Sequence, residues 1–463
     1  MTTAAVALAL ALAQNPAASA PKEAPPPAGP PIEFKLPKLR HLALDNGLEV
    51  TLVETGRMPK ATVQLVFRAG TGDDSAEQTG LSTFVATLLP EGTTTRSATM
   101  IAETAARWGG SVETSVTSDE TVVGGTVLSE FAPDLVALVA DVAMNPAFPA
   151  KELERVRQDT IRHVTIARTQ PQTLAQERFL ATIYPDQPYG RLLPTVEQVK
   201  RYTVEDARRF HQGAYVARRA HLYVAGRFDA AATEKAIRAV LARLPAGAPR
   251  EARPISPAAR RAVYLVPRPN AVQSSLFVGL PVLDPKHPDY LKLAVTNTLL
   301  GGYFSSRITA NIREAKGYTY SPISMVGVRA GTGFWAQVAD VTTAVTGASL
   351  KEIFGEVDRL RAAPPPEQEL GAVQAYMAGT FVLQTSDRAG LIGRLRFVDL
   401  HGLGEKWLED YVKNVRAVTP ADVQRMAQQW IDPARMAIVV VGDPAKIEEQ
   451  VKAFGTVVAA PRS

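Results

Sequence analysis

Thr203-Val204-Glu205-Asp206-Ala207 and, further along, Arg219-Ala220-His221-Leu222-Tyr223-Val224-Ala225-Gly226 decide how this chain is built. The first segment reads as a helix start, with a threonine able to cap and an acidic residue three places on. The second reads as an apolar strand closed by glycine. The same pair recurs as Thr419-Pro420-Ala421-Asp422-Val423 and Arg435-Met436-Ala437-Ile438-Val439-Val440-Val441-Gly442. The displacement is 216 residues at both ends, from 203 to 419 and from 226 to 442. Pro420 sits where the first helical turn accepts proline. An ungapped offset over the 24 positions 203–226 argues that the chain is a duplication.

Outward from these landmarks, each half mixes blocks of strands with blocks of helices. In the first half, Leu48 to Val53 alternates as a strand, and 61–68 reads as its hairpin partner. Helical patterns follow near 80–90 and 97–108, strands over 111–128, and helices over 130–144 and 150–169. The second half reads as strands at 262–267 and 272–280, helices at 288–316, strands at 318–341 and several helices from 345 to 431. Blocks of this kind predict an α+β fold of two homologous domains, each a mostly antiparallel sheet packed with helices. The proline- and alanine-rich stretch 245–260 reads as a linker between domains spanning 36–244 and 261–456.

The chain has 463 residues, 46% of them hydrophobic and 21% charged, which suits a globular protein that buries most of its apolar surface. It has no cysteine, so disulfides and thiolate metal sites are excluded. A net charge of +5 from 51 basic and 46 acidic residues is a weak bias. No dense basic run interleaved with aromatics points to nucleic acid. The apolar run from Ala4 to Ala13 has the length of a signal-peptide core and is too short to span a membrane. Small-x-small sites end at Ala13 and Ala20, and Pro21 disfavours the second. Met1-Thr2-Thr3 carries no basic residue. Residues 1–20 are thus expected to be a signal peptide for a secreted or periplasmic protein. Residues 21–35, with six prolines between Pro21 and Pro31, are expected to form an extended leader. No later stretch is expected to cross a membrane.

Three further landmarks lie in order. The first is Phe67-Arg68-Ala69-Gly70-Thr71-Gly72, then Gly80-Leu81-Ser82-Thr83-Phe84-Val85-Ala86-Thr87-Leu88 and Glu91-Gly92-Thr93. The second is Gly109-Gly110, with Asp119-Glu120-Thr121 inside the strands that follow and Asn145-Pro146-Ala147-Phe148 before a long helix. The third is Gly301-Gly302, Ser305-Ser306-Arg307 and Arg313-Glu314-Ala315-Lys316-Gly317-Tyr318-Thr319-Tyr320-Ser321. Over 35–455 the chain resembles the pitrilysin (insulinase-like) zinc metallopeptidases. The resemblance implies two homologous α+β domains per chain and clam-like assemblies of two such chains.

Active members of that family carry H-x-x-E-H on the helix that follows the Gly-Leu opening. Two histidines one turn apart reach a single zinc, and the glutamate activates the bound water. Here the corresponding helix keeps an apolar face of Leu81, Phe84, Val85 and Leu88. The histidine positions hold Thr83 and Thr87, and the base position holds Ala86. Hydroxyls and a methyl group do not hold zinc at neutral pH. The position of the third ligand falls at about His163, and its acidic companion at about Val156. A lone histidine is a weak site, and no i, i+3 or i+4 histidine pair exists. No cofactor is therefore expected in this chain.

Arg313 and Tyr320 keep the spacing of the family's substrate-contacting pair. Residues 306–316 read as a helix, Gly317 as its C-terminal cap, and Tyr320 as part of the following strand. An arginine fork and a tyrosine hydroxyl suit a scissile carbonyl and its oxyanion. The same residues also fit a plain reading, with the arginine favouring the helix dipole and the tyrosine covering core. Gly301-Gly302 either lets a substrate backbone approach or makes a tight turn. The resemblance implies a non-catalytic, substrate-binding subunit of a heterodimeric zinc peptidase, with zinc in the partner chain and a peptide as substrate. The alternatives are a structural or assembly subunit, like the core proteins of respiratory complexes with this fold, and a peptide-binding homodimer without chemistry.

Overall fold

The two glycine-closed apolar strands each lie in the interior of a six-stranded sheet. A computed structural model describes residues 34–459, and the expected signal peptide and most of the leader lie outside them. The first sheet contains β1 Leu39–Ala43, β2 Glu49–Glu54, β3 Lys60–Phe67, β4 Ser111–Val116, β5 Thr121–Leu128 and β6 Ala220–Gly226, in the order β1-β2-β6-β3-β5-β4. The second contains β7 Ala262–Pro267, β8 Gln273–Val282, β9 Ile323–Arg329, β10 Thr332–Thr342, β11 Ala437–Gly442 and β12 Val457–Ala459, in the order β12-β7-β11-β8-β10-β9. In each, the repeated strand runs parallel to one neighbour and antiparallel to the other: β6 with β2 and β3, β11 with β7 and β8. The expected α+β pair of homologous domains is what forms. The edges differ, because β1 precedes its sheet in the chain and β12 follows its own.

This arrangement corrects one expectation. The strand 61–68 is not the hairpin partner of 48–53, because β6 lies between β2 and β3 and pairs with both. Every residue of β6 is buried. A strand apolar on both faces belongs in the middle of a sheet, and it displaces the local hairpin.

The repeated helix starts also form as read. Thr203 Oγ1 accepts the N–H of Asp206 at 3.1 Å, and Thr419 Oγ1 accepts that of Asp422 at 3.1 Å; each aspartate answers by accepting the threonine N–H. Both are reciprocal capping boxes. The other helical stretches appear as Leu81–Leu88, Ala98–Arg107, Ala132–Met144 and Ala150–Ala167.

Helices are exchanged between the two halves. Pro171–Ile183, which comes before the linker, packs on β8 and β11 of the second sheet. Phe179 inserts between Phe277 and Phe334, with ring centroids at 4.5 and 5.6 Å. Gly279 makes room, since a Cβ there would sit 3.0 Å from the Phe179 ring. In return Arg388–His401, from the second half, packs on β6 and β3 of the first sheet. That contact is polar: Arg396 donates to Gln64 at 3.3 Å and to Glu120 at 2.8 Å, and Tyr223 donates to the Asp399 carboxylate. The two exchanged helices begin at Pro171 and Arg388, close to the repeat displacement, so the exchange belongs to the duplicated unit.

Asp119 and Glu120, expected inside strands, occupy the turn between β4 and β5. Neither side chain could face solvent there, since Asp119 is 3% and Glu120 8% exposed. Both bind residues beyond the first domain's sheet. The segment 245–260 is irregular, but its arginines anchor it: Arg250 pairs with Asp73 at 3.1 Å and Asp119 at 3.0 Å, and Arg253 donates to the Gly72 carbonyl at 2.8 Å. No helix among the described residues is long and apolar enough to cross a membrane.

Candidate functional site

The helix Leu81–Leu88 is tied down at its start by a neighbouring carboxylate. Asp74 accepts the N–H of Gly80 at 2.7 Å, the N–H of Ser82 at 2.9 Å and the Ser82 hydroxyl at 3.1 Å. Burial nevertheless dominates and raises the Asp74 pKa to about 6, against the hydrogen bonds from Ser82 and Gly80 that lower it. Leu81, Phe84, Val85 and Leu88 are buried in the first domain's core, the apolar face read from the sequence. Thr83 and Thr87 lie on the exposed side, and the Thr87 hydroxyl donates to the Thr83 carbonyl at 2.9 Å. Ala86 is 2% exposed and packed. The helix rests against Ala150–Ala167, where Val156 is buried in the shared core and His163 is exposed. Beside them Arg155 reaches Glu91 at 2.6 Å, Glu152 at 2.7 Å and Asp159 at 3.0 Å. Among the described residues no three histidine, aspartate or glutamate side chains are placed to hold a metal ion.

The second half builds a different kind of site. The helical stretch expected over 288–316 is interrupted: Tyr290–Asn297 is α-helical, Thr298–Gly302 widens to a π-helix, residues 303–306 bend, and Arg307–Thr309 leads into a second π-helix, Ala310–Ala315. Single-turn π segments are rare and concentrate at functional sites. Arg313 stands on the second one, and Gly317, with φ +63°, ends it in the left-handed conformation. Arg307 locks the bend by a two-pronged pair with Glu369, at 2.7 and 2.6 Å.

Tyr320 does not lie on the following strand. It sits in the loop before β9, because Pro322 has no N–H to give a ladder and the strand begins at Ile323. The loop brings Tyr320 back over Arg313. The guanidinium carbon lies 5.0 Å from the centroid of the Tyr320 ring and 4.3 Å from that of Phe304. The Glu314 carboxylate forms an ion pair with Arg313, 3.1 Å from Nε. Both rings are open to solvent, Phe304 at 63% and Tyr320 at 80% exposure. The pair singled out from sequence is thus assembled at the surface, and Phe304 is the member that sequence reasoning missed. Its signal was available: Phe304 is the second of two consecutive aromatics, Tyr303-Phe304, that follow Gly301-Gly302.

Gly301 is packed rather than open. A Cβ there would meet Ser324 Oγ at 2.6 Å and Gln337 Oε1 at 2.7 Å, so the turn presses directly on β9 and β10. Gly302 is half-buried and approaches Asn297 in the same way. This close approach seats the segment that carries Phe304 and Arg313.

Residues 49–195 match the sequence family described as insulinase (peptidase family M16), and residues 201–377 match the one described as the peptidase M16 inactive domain. A Streptomyces coelicolor protein named an uncharacterized zinc protease is 24% identical over 417 residues, covering 89% of this chain and 91% of its own. A crystal structure described as a peptidase M16 inactive domain from Pseudomonas fluorescens superposes with a TM-score of 0.82 at 23% identity, over 88% of this chain and 98% of that one. A chain from complex III2 of Candida albicans superposes with a TM-score of 0.75 at 14% identity, over 90% of this chain and 100% of its own. The structural likenesses speak for the fold, and the sequence matches cover both halves: this chain belongs to the insulinase-like, or pitrilysin-type, peptidase family M16.

Proposed function

We propose that the chain is the non-catalytic, substrate-binding half of a heterodimeric zinc peptidase. The carrying observation is the contrast between its two sites. The helix Leu81–Leu88 presents Thr83 and Thr87 where active relatives need imidazoles, with Ala86 buried at the base position. Arg313 and Tyr320, seven residues apart, are brought together at the surface by two π-helical turns and a loop. In this reading the zinc and its activated water belong to a partner chain of the same family. Arg313 and Tyr320 contribute hydrogen-bond donors toward a peptide carbonyl and the charge that develops on it. Export to the periplasm or the medium belongs to the same proposal, supported by the apolar run 4–13.

Mixing the purified chain with a zinc-bearing family member from the same cell tests the reading. Peptidase activity should need both chains, and Arg313→Ala with Tyr320→Phe should lower it at least about tenfold, the scale of one lost transition-state hydrogen bond. Equal activity with and without the double substitution rules out the assigned role. A second reading, a structural subunit of a larger assembly, is favoured by the likeness to a chain of complex III2. Capture of the tagged chain from native extract separates the two. A zinc-bearing homologue as stoichiometric partner supports the first, and a stable assembly without one supports the second.

A further inference from the structure

We infer that Phe304 is a positioning residue, holding the Arg313 guanidinium edge-on to a carbonyl presented at this site. The inference rests on the proposed reading of Arg313 and Tyr320 as substrate contacts and adds a third residue to them. Phe304 and Tyr320 come from separate loops, residues 303–306 and 318–322, yet both rings converge on one guanidinium, at 4.3 and 5.0 Å. Solvent exclusion does not explain the placement of Phe304, since the ring is 63% exposed. What it gains is the cation beneath its face.

The geometry has a chemical consequence. A guanidinium offers its donors in the plane of the group and its stacking surface above and below. Here the guanidinium carbon lies over both ring faces, and the Glu314 carboxylate lies 3.1 Å from Nε. The terminal nitrogens meet no acceptor among the described residues, so their in-plane N–H groups remain for an incoming oxygen. Without Phe304 the long side chain would sample many rotamers and settle more often on Glu314. Phe304 therefore acts through Arg313 and needs no contact with substrate.

The test uses the full chain. Arginine side-chain NMR reads the Arg313 Nε–H, assigned by its disappearance in Arg313→Lys. Phe304→Ala should remove the ring-current shift of that proton and speed its exchange with water by about fivefold or more. Phe304→Tyr, which keeps the ring, should restore both, and the denaturation midpoint should stay at the wild-type value. Binding of a fluorescent unstructured peptide of about 15 residues should weaken by about fivefold in Phe304→Ala and recover in Phe304→Tyr. An Arg313 resonance identical in wild type and Phe304→Ala overturns the inference. A wild-type chain that binds no peptide while its Arg313 resonance responds to Phe304→Ala removes the proposed function and leaves the positioning contact standing.

Discussion

Asp119 accepts the backbone N–H of Ala330 at 3.1 Å, so a turn in the first sheet is bonded to the turn between β9 and β10 of the second. The same carboxylate accepts Tyr189 Oη at 2.5 Å and Arg250 Nη1 at 3.0 Å. With Asp73, it holds Arg250, whose pKa is raised by both carboxylates against the opposing effect of burial. One side chain thus joins the two domains and the segment between them.

Removing that carboxylate should be costly. Asp119→Ala leaves Arg250, whose side chain is 17% exposed, with a single acidic partner, and leaves the Ala330 N–H and the Tyr189 O–H without the acceptor they now share. Breaking a buried pair from one side loses about 3 kcal/mol or more. Chemical denaturation should show this loss; a change within about 0.5 kcal/mol means the junction is wetter than its geometry indicates.

The helix Leu81–Leu88 should accept substitutions unequally. Thr83→His and Thr87→His face solvent and should alter stability by no more than about 0.5 kcal/mol each. Ala86→Glu places a carboxylate at a packed position that is 2% exposed and should cost about 2–4 kcal/mol. Melting curves of the three single variants decide it. If Ala86→Glu proves neutral, the helix can rotate or the glutamate can reach solvent.

Asp74 supplies a pH signature. Its folded-state pKa, about 6, lies above the ordinary value of 3.8, chiefly because burial disfavours the charged form. The folded chain therefore binds this proton more tightly than the unfolded chain. The stabilisation it brings is complete below about pH 3.8 and is lost as pH rises toward 6. The stability advantage of wild type over Asp74→Asn should shrink by up to about 3 kcal/mol between about pH 3.5 and about pH 7. An advantage that widens with pH would mean that the hydrogen bonds from Gly80 and Ser82 outweigh burial.

The exchanged helix should be worth a large part of the second domain's stability. Phe179 is fully buried between two other rings, and Phe179→Ala should cost about 3–5 kcal/mol. The loss should appear in tryptophan fluorescence from Trp335, which lies on β10 of the sheet that Phe179 covers. A separate early transition confined to the first domain would contradict the assignment of this helix to the second sheet.

Local chemistry made much of this legible in sequence. The capping boxes at Thr203 and Thr419 depend on residues three apart, and the apolar face of Leu81–Leu88 on spacing within one helix. Most strands were found for the same reason, but the edge strands β1 and β12 were not among those expected. What could not be read was pairing at a distance. The alternation of 48–53 and 61–68 is satisfied equally by a hairpin and by two strands with β6 between them, since periodicity names a face and not a neighbour. The exchange of Pro171–Ile183 and Arg388–His401 was hidden because a helix does not state which sheet it covers, and the first of these helices was not among those expected. Arg313 and Tyr320 were legible as a spacing. Their cation–π contact, and the part of Phe304 in it, required the loop that Pro322 holds off the strand.

The crossing of helices between domains also orders events during synthesis. The first sheet has all its strands once Gly226 has left the ribosome, yet its polar face, with Gln64 and Tyr223, waits for Arg388–His401. At translation rates of roughly 5–20 residues per second, the intervening chain takes roughly 9–35 seconds to emerge. Early in that interval Pro171–Ile183 has no sheet to cover, and β11, one of the two strands it packs on, emerges only after the interval ends. A nascent chain in this condition exposes Phe179 and its neighbours to any chaperone within reach, and neither domain can mature before the other is nearly complete.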